Sequence, residues 1–328
     1  MNNLISYKQK ILIIYRLLLI LLLTSCGVII GFSQTADNDS AWFEFQPVKD
    51  EFNPTIIDCS EFIEAPTGKH GFVTVKGDNF VFEDGTPVRF WGSQTGALRD
   101  DPEYSARLMR KHGVNLVRQH GNLGRPDRLD ATLARLGENG IYMAIDLFYP
   151  LHYDWKPEDE IPGFLDGGTS QQLHFFNEKA AAIQQKRLVD FFTHVNQYTG
   201  KRWCDDPTLA MIEILNEASM FWGEVDEQLR GQVEEKFADW LRVKYNNNTE
   251  LKKAWSYNGK SGLESGEGLN EGQKIGLIRN SRFTEEYFNE NPEKKVRGQD
   301  QMRFYFELED NYWQDCYNAL REAGVKVP

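Results

Sequence analysis

Between Phe90 and Asn216 the chain alternates short apolar runs with longer segments of helical character, and few folds accommodate that rhythm. Residues 114–120 (VNLVRQH), 141–148 (IYMAIDLF) and 209–216 (LAMIEILN) are brief and rich in aliphatic and β-branched side chains. Such runs suit inner strands buried on both faces. The segments between them are punctuated as helices. Segment 101–111 opens on Asp101 and Pro102 and is stopped by Gly113; another runs from Pro126 to Asn139 and Gly140; residues 178–197 are amphipathic. Proline belongs near a helix start and glycine just past its end. Strand, helix and strand in succession predict a parallel sheet with crossover helices, because parallel neighbours need a long return connection.

The remaining segments are read around this frame. Residues 71–77 alternate and 80–82 follow after a turn, which predicts a small β-lid over 69–86; residues 87–92 then lead in as the first strand of the parallel set. A long aromatic loop is expected from 149 to 177. Helices are expected over 225–245, 251–255 and 298–323, with an insertion at about 246–298 whose stretch 259–273 is rich in Gly, Ser, Glu and Asn. The aromatic stripe of the last helix (Met302, Tyr305, Phe306, Tyr312, Trp313) reads as core. Residues 325–328 look like the beginning of one more strand.

The N-terminus reads as an export leader over 1–33, followed by a polar tether and extension over 34–68. Lys8, Lys10 and Arg16 precede the apolar run 17–23, the order of a secretory signal. Two processing routes compete. Residues 23–26 (LTSC) resemble a bacterial lipobox, which would leave Cys26 as a lipid-bearing terminus; alternatively cleavage follows Ser33. A third reading keeps the segment as a membrane anchor, although Arg16, Thr24 and Ser25 shorten the apolar run below a comfortable span. All three export the rest of the chain, to the periplasm, the outer membrane or the medium of a bacterium.

Charge narrows the partners. With 37 basic and 49 acidic side chains the net charge is −12, which argues against nucleic acid and against an anionic membrane surface except through a lipid anchor. Cys26, Cys59, Cys204 and Cys316 show no metal-ligand spacing, and no His, Asp or Glu cluster does either, so neither a metal nor a cofactor is expected.

Four features together resemble clan A of the glycoside hydrolases, closest to family 5, the cellulase and β-mannanase group. They are 90–92 (FWG) after the β-lid, 113–120 (GVNLVRQH), 146–152 (DLFYPLH) and 206–217 (DPTLAMIEILNE). The resemblance spans roughly 71–328. It implies a (β/α)8 TIM barrel in the α/β class, with chemistry at the C-terminal strand tips. It also implies a retaining hydrolase of β-linked poly- or oligosaccharides. Glu217 would be the acid/base, Asn216 would bond the sugar 2-hydroxyl, and Arg118 would orient the nucleophile carboxylate. His120 and His152 would bond substrate, and Tyr149, Trp155, Trp222 and Trp91 would line its binding subsites. Other readings stand beside these. Asn216 and Glu217 could cap the next helix, Arg118 could pair with Glu213 (which shares its inward parity), His120 could be a core histidine, and the loop aromatics could be packing. In clan A the nucleophile is a Glu ending strand seven. Only four βα units and the start of a fifth are countable here, so the chain is expected to be the N-terminal half of a barrel and inactive alone. An exported carbohydrate-binding protein without catalysis, or a transglycosylase, are the alternatives.

Overall fold

The structure is a computed structural model that describes residues 48–94, 101–121, 126–148 and 155–328. Contacts divide the chain into 1–51 and 52–328, and all the elements below belong to the second unit. Strands β1 (Val73–Lys76) and β2 (Asn79–Phe82) form an antiparallel hairpin. Strand β3 (Gly92–Gln94) begins a parallel set and is followed by helix α1 (Pro102–Lys111). The Asp101 carboxylate accepts a bond of 3.0 Å from the Tyr104 backbone N–H, satisfying one free donor of the first turn of α1. Then come β4 (Leu116–His120), α2 (Pro126–Glu138) and β5 (Tyr142–Phe148). Helices α3 (Leu173–Phe176) and α4 (Glu178–Thr193) lead to β6 (Leu209–Leu215). Beyond β6 lie α5 (Glu227–Tyr245), α6 (Asn248–Ala254), the two-residue strands β7 (Ser256–Tyr257) and β8 (Lys260–Ser261), α7 (Glu285–Glu290) and α8 (Lys295–Glu322).

Strands β3, β4, β5 and β6 lie side by side in sequence order and parallel, making an α/β sheet with helical crossovers. Side chains alternate across the sheet. On one face Val117, Met143, Ile145 and Leu147 are buried in the main core with Leu129, Leu133 and Leu136 of α2 and Leu188 and Phe192 of α4. The other face carries Arg118, His120, Asp146 and Glu213, which the register sets on neighbouring strands. The hairpin packs beneath the starts of the strands, where Val73 and Phe82 form a small core with Tyr142 and Ala210. It therefore closes the end of the sheet away from the strand tips.

Four expectations shift. The first parallel strand starts at Gly92 rather than at residue 87, so Trp91 precedes it. The loop expected over 149–177 is packed from Trp155 onward: α3 closes it, and Trp155, Phe164, Phe175 and Phe176 are all buried. In α8, Tyr305 and Tyr312 are core, whereas Met302 and Phe306 face solvent. Residues 325–328 form no assigned strand. Their Val325 and Val327 are nevertheless buried, and the Pro328 carbonyl accepts a 2.9 Å bond from the Ile212 N–H on the outer edge of β6.

Candidate functional site

Period-two alternation places Arg118 on β4 and Glu213 on β6 facing the same side, across β5. The guanidinium Nη2 and Nε donate to Glu213 Oε2 at 2.6 and 3.1 Å, and Nη2 also donates to Asn216 Oδ1 at 2.5 Å. Its Nη1 lies 3.1 Å from His120 Nε2. Gln94 Nε2 approaches the same imidazole nitrogen at 3.1 Å. Since both neighbours are donors, His120 Nε2 is assigned as the acceptor and the proton goes to Nδ1. Nδ1 then faces Asp146 Oδ2 at 2.7 Å. The chain of contacts runs from Asp146 through His120 and Arg118 to Asn216 at the tip of β6.

Asp146 is wholly buried, and burial raises its carboxyl above the ordinary aspartate value, with Glu213 adding to the rise; His120 and Arg118 pull against it. Around Arg118, partial burial works against the charge, but Glu213, Asp146 and Glu217 outweigh it and hold the guanidinium above its usual value. One cation thus sits among three carboxylates. Gly121, just past His120, is fixed by crowding. Its N–H bonds the Asp146 carbonyl at 2.5 Å, and a Cβ there would meet that oxygen and Leu147 Cδ2 at 2.8 Å each.

Glu217 follows the buried Asn216 and is exposed. Its φ of +52° is a left-handed conformation that costs a non-glycine residue of order 1 kcal/mol or more and has to be held by its surroundings. The strand tip accordingly turns sharply and aims the carboxylate outward. Arg118 takes the Asn216 amide oxygen, which leaves the amide N–H2 as the outward donor. A carboxyl group and an amide donor side by side at a parallel-strand tip can transfer a proton and hold a hydroxyl.

The structure brings together Arg118, His120, Asn216 and Glu217 of the expected set. Trp222 is five residues beyond Glu217 and 56% exposed. Trp155 is not a binding platform: it is 1% exposed, with its indole N–H bonded to the Ser170 carbonyl at 3.2 Å. Trp91 is exposed but at the wrong end. It precedes β3, level with Asn115, about five residue steps or roughly 16 Å below His120 along the strands. Tyr149 and His152 lie outside the described residues. Of the two readings of Arg118, the pairing with Glu213 is present, and the guanidinium also bonds Asn216 rather than a nucleophile carboxylate. Asp146, Gln94 and Glu309 were missed. Period-two parity with Arg118 and His120 was a usable signal for Asp146. Nothing local marks Glu309, which reaches from α8 to accept from Ser219 Oγ at 2.7 Å and from the Met220 N–H. Among the described residues no group of three or more His, Cys, Asp or Glu side chains is arranged to hold a metal.

No protein-family model matches the chain, and no curated protein does. Solved structures that align with part of this chain include an endo-1,4-β-mannanase from Rhizomucor miehei, at 17% identity and a TM-score of 0.40, covering 53% of this chain and 58% of that one. An endo-β-1,4-mannanase from Thermotoga petrophila is 20% identical with a TM-score of 0.34, covering 49% of this chain and 41% of that one. A glycoside hydrolase family 5 mannosidase from Rhizomucor miehei is 16% identical with a TM-score of 0.33, covering 52% and 53%. The chain spans about half the length of the solved structures it matches.

Proposed function

We propose that this chain carries the acid/base half of a retaining glycoside hydrolase that cleaves β-linked poly- or oligosaccharides. The observation that carries the reading is the tip of β6, where an exposed Glu217 in a left-handed turn stands beside an Asn216 amide held by Arg118. In the proposed reaction Glu217 first gives its proton to the leaving glycosidic oxygen and then takes one from water. Asn216 donates from its free amide nitrogen to the sugar 2-hydroxyl, a contact that strengthens as the ring flattens toward the oxocarbenium ion. A retaining mechanism needs a second carboxylate about 5–5.5 Å from the first. Among the described residues no other strand of the parallel sheet ends in one, so the proposal assigns the nucleophile to further βα units that extend the sheet past β6. The exported location, with a leader over 1–33 that is either lipidated at Cys26 or cut after Ser33, is part of the same proposal.

The test is Glu217→Gln in the protein that includes those units. Hydrolysis of a β-linked polysaccharide should fall about 10³-fold. Bond breaking in an aryl glycoside with a strongly acidic phenol as leaving group should survive, because that leaving group needs no proton. Equal loss on both substrates, or none on either, rejects the acid/base role. A second reading, carbohydrate binding without catalysis, draws on the saturation of Arg118: its Nη2 and Nε donors are taken by Glu213 and Asn216 rather than by a strand-tip nucleophile.

A further inference from the structure

The loop 218–224, immediately after Glu217, is fastened from three separate parts of the chain. Glu309 of α8 accepts from Ser219 Oγ and the Met220 N–H through one oxygen. From the loop after β5, Gln172 (4% exposed) donates its amide to the carbonyls of Met220 and Trp222 at 3.4 and 3.3 Å. From the insertion, Asn280 donates to the carbonyls of Met220 and Gly223 at 2.7 and 2.5 Å. Glu224 returns the contact, accepting from the backbone N–H groups of Asn280 and Ser281 at 2.9 and 3.0 Å. A local turn completes the arrangement, with the Trp222 N–H on the Ser219 carbonyl at 3.1 Å.

These fastenings fall mainly on the backbone, and the side chain of Met220 is buried. What the loop turns to solvent is aromatic: Trp222 is 56% exposed and Phe221 39%, the latter braced edge-on against Tyr305 at 5.5 Å. A loop pinned for its own stability would be expected to fold such rings inward, since burying an aromatic side chain is among the larger gains open to it. Here the pinning holds them out. The turn also keeps Trp222 close to the acid: Cα atoms across a tight turn lie within about 7 Å, and Ser219 is two residues from Glu217, so the two Cα atoms are within roughly 14 Å.

We propose that Asn280 and Glu309 are positioning residues: they hold 218–224 preordered beside Glu217 so that the exposed Trp222 ring is presented to a pyranose. The proposal rests on the reading of Glu217 as acid/base, and it adds a role for the insertion, whose Asn280 and Ser281 bond this loop. Because the loop is already ordered, sugar binding need not spend free energy on arranging it. The side chains that hold it touch backbone rather than ligand, so their loss should act on affinity through the loop.

The experiment is calorimetric titration of cellohexaose and mannohexaose into the whole chain bearing Glu217→Gln, which holds hydrolysis off. Trp222→Ala in that background should weaken binding of the preferred sugar about tenfold. Asn280→Ala and Glu309→Ala should each weaken it several-fold while Tm moves by no more than about 2 °C. Glu309→Gln, whose amide oxygen still accepts both bonds, should restore affinity. Undiminished affinity in Trp222→Ala overturns the proposal and leaves the reading of Glu217 standing. A fall in Tm with affinity unchanged in Asn280→Ala and Glu309→Ala makes those contacts structural only and overturns their positioning role. Binding of neither sugar by the Glu217→Gln parent overturns both the proposal and the glycosidase reading beneath it.

Discussion

Asp146 shows how one side chain can be costly to the fold and useful to the site. It is fully buried, faces His120 at 2.7 Å and Arg118 at 3.6 Å, and its carboxyl is raised by burial. The folded chain therefore keeps a proton on this group to higher pH than the unfolded chain does. Between the two values the folded state binds more protons, so stability falls as pH rises through that interval, by about 1.4 kcal/mol for each unit of the rise. Asp146→Asn has no such dependence. Its urea midpoint relative to wild type should improve from pH 4 to pH 7, and a flat difference would show that the carboxyl titrates as it does in the unfolded chain. The same substitution removes one of the charges that orient His120 and Arg118. Under the proposed reading, hydrolysis by a protein that includes the further βα units should then drop about tenfold or more through kcat, as expected when a supporting charge behind a contact residue is lost.

Among the elements, the layer formed by α3, α4 and α8 contains the most buried histidine among the described residues. His174 is 3% exposed, with its ring 4.1 Å from Phe175 and 4.7 Å from Tyr312, and no protein atom bonds either ring nitrogen. Burial lowers its pKa from 6.5 to about 3. Below pH 6.5 the unfolded chain takes up a proton that the folded chain refuses. Stability should fall by about 1.4 kcal/mol per unit from 6.5 down toward 3. His174→Phe should lose that slope and be the more stable form at pH 5 in thermal melts; parallel pH profiles would count against it. This layer also marks where the sequence stopped being legible. Segments with a period and with proline or glycine at their ends were placed to within a residue or two, as with α1 at Pro102–Lys111 and β5 at Tyr142–Phe148. The stretch from Trp155 to α3 has aromatics without a period, and without a period a packed loop and a row of binding platforms read alike. Trp91 failed for a different reason: moving the start of β3 from residue 87 to Gly92 turns a side chain near the tip into one at the foot of the sheet. The grouping of these side chains was readable because Arg118 and His120 lie on β4 and Asn216–Glu217 directly follow β6, positions whose parity and order need no tertiary information. Glu309 was not, because its contact with Ser219 spans 90 positions.

At the scale of the whole molecule, the two faces of the sheet are opposite in kind. One is sealed with aliphatic side chains beneath helices, and the other gathers Arg118, His120, Asp146 and Glu213. Among the described residues of that second face, one guanidinium is shared among Glu213, Asp146 and Glu217, in a chain whose net charge is already −12. A surface of one sign repels solutes of that sign before any contact forms, and the repulsion reaches as far as the ionic atmosphere allows. Under the glycosidase reading proposed above, uncharged glucans, mannans or xylans should approach this face freely, and polyuronates and sulfated glycans should be repelled. The preference for neutral over uronate oligomers should be several-fold in 10 mM salt and should shrink toward unity in 300 mM, as the screening length contracts from about 30 Å to roughly 6 Å. A preference indifferent to salt would place the discrimination in direct contacts. If the chain is exported, as proposed, its selectivity would be set by the medium as well as by its own contacts: salt would relax the discrimination and fresh water would sharpen it.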